Sequence, residues 1–182
     1  MIRAMILLAT LLSAFGQGER TLYRLERSSV SFKSEAPLET ITATNTKSTG
    51  VLDATARTFA VQVPITEFQG FNSPLQREHF NENYLESSTH PKATFTGRII
   101  ETIDLLAPGT HSVRAKGELT VKGVTRERIV PCDLVVGPTG VRITTSFDVA
   151  LDEHDIRVPR VVQQKIAPVV QVKVDVLFTR KP

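Results

Sequence analysis

A period of two runs through most of this chain and constrains its fold more than any other feature. The last segment shows it most cleanly. Val170, Val172, Val174, Val176 and Phe178 share one parity, with Gln171, Lys173 and Asp175 on the other. Successive side chains of a strand point to opposite faces, so the pattern predicts one apolar and one wet face. Earlier segments repeat it: Val30 and Phe32; Phe59, Val61, Val63 and Ile65; Ala93, Phe95, Gly97 and Ile99. So do Val113, Ala115, Gly117, Leu119 and Val121, and then Val141, Ile143, Thr145, Phe147, Val149 and Leu151. Turn signals stand at Thr49-Gly50, Pro108-Gly109, Lys122-Gly123 and Gly137-Pro138-Thr139-Gly140.

One-sided faces of this kind belong to antiparallel sheets. About eight strands in a chain of this length predict a closed barrel or a sandwich. Closure removes the edges that an open sheet would expose. An eight-stranded barrel has an interior filled by side chains or by one slender ligand. Gly97, Ala115 and Gly117 are small residues on apolar faces, which either open a cavity or mark bends and bulges.

Two segments break the alternation. In the first, Ser73 suits a helix cap, Pro74 the first helical position and Gln76 a capping box, predicting a helix over residues 74–85. It carries Leu75, Phe80, Tyr84 and Leu85 among dense polar residues. The second runs from Asp152 to Ile166. Pro159 excludes a regular strand there, and Val162 to Ile166 predict a short helical turn near a barrel mouth.

The first residues are of another kind. Arg3 followed by an apolar run from Ala4 to Phe15, with small residues at Ala14 and Gly16, predicts an export signal over residues 1–16. The barrel domain is then expected over residues 19–182, periplasmic or secreted. The single cysteine, Cys132, cannot form an internal disulfide, and its apolar neighbours predict a buried side chain. Net charge is +3 without any basic run, which argues against nucleic-acid binding.

The two irregular segments and the stretch Gly117-Glu118-Leu119-Thr120-Val121-Lys122-Gly123-Val124-Thr125 together resemble the YceI-like family. Its pattern is a helical H-F, then P-x-h-x-F, then G-x-L-T-h-x-G-V-T, where h is apolar. Here these are His79-Phe80, Pro91 to Phe95, and Gly117 to Thr125. The likeness extends from about Tyr23 to Phe178. The family's early H-S-x-h-x-F is here Ser28-Ser29-Val30-Ser31-Phe32, without the histidine. The resemblance implies an all-β, antiparallel, eight-stranded lipocalin-like barrel with short helical insertions. It also implies export to the periplasm and an isoprenoid, quinone or similar amphiphile held inside.

Catalysis and metal binding have little support in the residues. There is no Gly-x-Ser-x-Gly elbow and no His-x-x-x-His or Cys-x-x-Cys spacing. His154 lies among Asp152, Glu153 and Asp155, but a hydrogen-bonded histidine at a barrel rim explains it. The expectation is a binding protein without enzyme activity, cofactor or metal. Its alternative is a structural barrel whose core is filled by side chains.

The expected ligand-binding residues are Phe32, Phe59, Val61, Phe68, Phe71, His79, Phe80, Tyr84, Phe95, Leu119, Phe147, His154, Arg157 and Gln163. Arg77, Asn81, Asn83, Arg160 and Gln164 are further candidates for a head group at the mouth. Transient membrane contact fits such a role. Monomer and homodimer are both open. Residues 74–85 are expected to act as a lid or end-plug, with Phe80 and Tyr84 facing the interior.

Overall fold

The structure, a computed structural model, describes residues 20–180; the export signal expected over residues 1–16 lies outside them. The strands are β1 (Leu22–Glu35), β2 (Thr40–Asn45), β3 (Thr49–Asp53), β4 (Thr58–Pro64) and β5 (Lys92–Ile99). They continue with β6 (Gly109–Val121), β7 (Val124–Gly137), β8 (Gly140–Ala150) and β9 (Val169–Thr179). All neighbours pair antiparallel, and β9 returns to pair with β1 from Arg24–Thr179 to Lys33–Gln171. The sheet therefore closes, and of the two architectures open to the sequence it is the barrel.

The barrel has eight strands because β2 and β3 are pieces of one. Both lie on the same edge of β1 and in the same register, Val30 facing Asn45 and Leu22 facing Asp53. Asn45 makes the break. It is fully buried, donates from Nδ2 to the Pro64 carbonyl at 2.7 Å, and accepts from Lys47 N at 2.8 Å. Thr49-Gly50 is not a turn but the start of β3. A Cβ on Gly50 would stand 2.8 Å from the Ala60 carbonyl, so this glycine serves a close approach to β4.

Gly97 and Gly117 face each other across β5 and β6. A Cβ on Gly97 would lie 2.2 Å from the Lys116 carbonyl oxygen and 2.5 Å from Gly117 Cα. Neither glycine opens the cavity; they let two backbones touch, and of the three small residues only Ala115 lines the interior wall. Gly97→Val is accordingly expected to cost about 1–3 kcal/mol, read as a lower denaturant midpoint in equilibrium unfolding.

The helix is shorter than the capping signals predict. α1 (Pro74–His79) begins at Ser73, whose Oγ accepts from Gln76 N at 3.1 Å. It then widens into a π turn over Phe80–Tyr84, closed by Leu85 N to Phe80 O at 3.0 Å. That wider turn brings Phe80, Tyr84 and Leu85 to one side of the segment.

Both irregular segments lie at the same end of the barrel. This end carries the 36–39, 65–91 and 151–168 connections and the tight turn at Lys122-Gly123. The other end carries the β3–β4 and β7–β8 turns and the 100–108 loop, whose Leu105 is fully buried. One apolar cluster seals that end: Leu52, Ile99, Leu105, Val113, Val130, Leu134, Val141, Val176 and Phe178. A second cluster lies under the irregular segments, around Val30, Ala43, Ile65, Phe68, Leu85 and Ile156.

Candidate functional site

Between the two clusters the barrel is not filled. A cavity of about 580 Å³ runs along its interior, within the range of pockets that enclose a drug-sized ligand. Burial along β9 records its depth. Val176 and Phe178 are buried, while the equally inward Val170, Val172 and Val174 are only partly buried, although a closed barrel surrounds them. Their accessible surface faces the void. Lining residues on β9 extend from Val170 to Phe178. At ~3.4 Å per residue that is about 27 Å of strand, or roughly 20 Å along the axis for a tilt of about 40°.

Aromatic rings crowd the upper part. Phe32 from β1 stacks on Phe80 at 5.4 Å between centroids and 10° between planes. Phe80 also meets Phe71 at 5.0 Å and Phe68 at 5.6 Å. The 74–85 segment is thus held by ring contacts as well as by polar ties from Gln76 to Glu39 and from Arg77 to the Thr66 carbonyl. Deeper down, Phe59 and Phe95 pack at 5.1 Å.

Polar side chains are distributed unevenly. Two that line the deep part are tied to backbone: Thr145 Oγ1 donates to the Pro131 carbonyl at 2.6 Å, and Cys132 Sγ to Val130 O at 3.4 Å. Burial pushes the Cys132 thiol above its ordinary range, so it stays protonated. At the mouth stand Ser34, Glu39, Ser73, Gln76, His79 and Lys165, with Leu75, Val162 and Ile166 between them. Glu39 Oε1 accepts from Gln76 Nε2 at 3.0 Å and lies 3.4 Å from Asn72 Nδ2. Lys165 makes no side-chain hydrogen bond or ion pair among the described residues. A ligand entering here meets charge and amide groups first and hydrocarbon beyond.

Of the residues expected at the site, Phe32, Phe59, Val61, Phe68, Phe71, His79, Phe80, Tyr84, Phe95, Leu119 and Phe147 all line this cavity. Burial raises the Tyr84 phenol. His154, Arg157 and Gln163 do not line it. Arg157 and Gln163 are exposed on the 151–168 connection, as are Arg160 and Gln164. Asn83 is exposed, Asn81 donates to Arg77 O at 2.9 Å, and Arg77 reaches the Thr66 carbonyl at 2.8 Å. Glu39, Gln76 and Lys165 are mouth residues that the sequence reading passed over. The capping pattern marked Gln76, but only as a helix-end residue.

His154 has a structural place. It is fully buried, and its Nδ1 lies 3.0 Å from the Val124 carbonyl, so that nitrogen carries the proton and donates. Nε2 has no partner. Burial holds the ring's pKa below its ordinary 6.5, helped by the nearby Arg128 and Arg126 charges and opposed by the Val124 bond. The unfolded chain then binds the proton more readily than the folded one. Stability from this group is complete above pH 6.5 and declines as pH falls below it. The loss in denaturant midpoint between pH 7.5 and pH 5 is expected to be smaller in His154→Asn, whose amide can keep the Val124 bond.

The description "YceI-like domain" attaches to a family model that matches residues 23–178. Among solved structures, a polyisoprenoid binding domain from Saccharophagus degradans implicated in plant cell wall breakdown aligns with a TM-score of 0.75 at 14% identity, covering 90% of this chain and 100% of that one. BcnA from Burkholderia cenocepacia aligns with a TM-score of 0.69 at 17% identity, covering 82% and 95%. The YCEI protein of Campylobacter jejuni aligns with a TM-score of 0.56 at 13% identity, covering 72% and 78%. At such identities the likeness shows the fold alone. No curated protein matches the sequence.

Proposed function

The chain belongs to the YceI-like family, and from that premise we propose that it is an exported carrier or reservoir for a polyisoprenoid, quinone or similar amphiphilic lipid. The observation that carries the reading is the division of the cavity into a polar mouth and an apolar interior whose Thr145 and Cys132 are already bonded to backbone. Such a cavity favours one orientation: hydrocarbon toward Leu134 and Phe178, head group at Glu39, Gln76, His79 and Lys165. The polyisoprenoid-binding neighbour of the same fold supports the ligand class. The void itself weighs against a purely structural barrel with a filled core.

Burying a methylene from water is worth about 0.8 kcal/mol. A lipid, however, leaves a membrane that is also apolar, so its tail gains little net free energy on transfer. Selection then rests on cavity length and on the mouth groups. The family membership also supports the periplasm as the place of work. Native mass spectrometry of protein produced in an exporting bacterium and purified without detergent tests the reading. The expected result is a protein ion carrying one lipid mass, released on activation and soluble in organic solvent. Protein that stays bare after incubation with dispersed polyprenol, quinone and fatty acid would overturn it.

A further inference from the structure

We propose that the rim of the cavity is a docking surface for an anionic lipid bilayer. Three segments form the rim, and each presents an exposed aliphatic side chain. Leu38 in the 36–39 turn is 66% exposed, Leu75 at the start of α1 57%, and Val161 in the turn Arg160–Val162 91%. Leu75 itself lines the mouth, while Leu38 and Val161 sit beside the lining residues Glu39 and Val162. Leu38 N donates to Gln164 O at 2.8 Å, which binds the first segment to the third. Exposed aliphatics scattered singly need no explanation. Three on separate segments around one opening form a patch that interaction with an apolar phase would cover.

Charge selects the occupant. From Ile156 to Pro168 the connection contains Arg157, Arg160 and Lys165 and no acidic residue. None of these three cations has an ion-pair or side-chain hydrogen-bond partner among the described residues, unlike Arg128, which holds Glu153 at 2.7 Å. Acids also stand at this end: Glu35 pairs with Lys33 at 2.7 Å, Glu39 accepts from Gln76 and keeps its charge, and Glu67, Glu78, Glu82, Asp152 and Asp155 lie on the 65–91 and 151–155 stretches, so the cationic face is confined to residues 156–168. Unpaired cations beside exposed aliphatics match the phosphate and acyl layers of an anionic leaflet. Docked this way, the mouth opens onto the bilayer, and a lipid crosses from membrane to cavity without traversing water. The proposal gives the lipid-binding reading its membrane partner, and its test separates the two.

The test is co-sedimentation of the full chain with vesicles of phosphatidylethanolamine and phosphatidylglycerol, against vesicles of phosphatidylcholine alone. Any contribution of residues 1–16 is common to all variants. The expected result is preference for anionic vesicles that fades at high salt. Arg157→Glu with Arg160→Glu should weaken it by at least about tenfold, since one surface cation is worth roughly fivefold. Leu38→Ser with Val161→Ser should also weaken it, while capture of a dispersed fluorescent lipid in vesicle-free buffer is unchanged. Equal sedimentation of wild type and both variants would overturn the docking surface, and so would equal affinity for neutral vesicles. Lipid capture in vesicle-free buffer reports separately on the cavity: if it persists when docking fails, the lipid-binding reading stands alone.

Discussion

Val174→Trp is expected to weaken capture of long-chain lipids more than a hundredfold while leaving the barrel folded. Val174 packs against both apolar clusters and so stands at the waist of the interior. It is only partly buried there, facing the cavity. An indole at this point grows into empty space, so the usual overpacking cost of about 1–3 kcal/mol should fall at its lower end. What it removes is length. Each methylene kept out of the cavity forfeits about 0.8 kcal/mol relative to water, and four of them weaken binding more than a hundredfold. Dispersed lipid probes of increasing chain length check this. Short chains should bind as before, and affinity should stop rising once the chain reaches the indole. Uniform loss at every length would point to misfolding or to binding elsewhere.

Phe80→Ala should have the second largest effect, and on stability as well as on binding. Phe80 is the hub of the ring cluster, touching Phe32 of β1 and Phe68 and Phe71 of its own 65–91 connection. Truncation of a buried phenylalanine costs roughly 3–5 kcal/mol, and half-burial places this one near 3 kcal/mol. For a domain of this size that lowers Tm by about 6–12 °C, readable by calorimetry. The same change unpins the π turn from the barrel, so bound lipid should dissociate faster while its association is little altered. Phe80→Leu, which keeps an apolar side chain there, should recover most of the stability.

The barrel was legible because its walls are built from period two, and period two survives in sequence without any knowledge of neighbours. Val170 to Phe178 reads as a wall strand on its own terms. The break between β2 and β3 was not legible. It depends on Asn45 reaching the carbonyl of Pro64, nineteen residues away, and local composition points instead to Thr49-Gly50. The interior aromatics were found for the same reason as the strands: parity assigns Phe32, Phe59, Phe95 and Phe147 to the inner face.

The mouth was harder. His154 stands among carboxylates and looks available for chemistry, yet the Asp152–His154 turn folds it under the β6–β7 end, against the Val124 carbonyl. Glu39 and Lys165 carried no signal because nothing in their neighbourhoods distinguishes them from ordinary surface residues. They matter only because closure of the barrel brings the 36–39 turn and the 151–168 connection around α1. Pattern identifies which residues face inward; which polar residues meet at an opening is decided by contacts between distant segments.

The central claim is that one amphiphile lies in the barrel with its tail toward the sealed end. A lipid probe with a diazirine at the tail terminus tests it most directly. After irradiation of the loaded protein, peptide mass spectrometry should place the adducts on β7 and β9 near Leu134, Val176 and Phe178, and Val174→Trp should move them toward the mouth. Adducts confined to the outer faces of the strands, or to rim residues such as Leu75 and Val162, would contradict it.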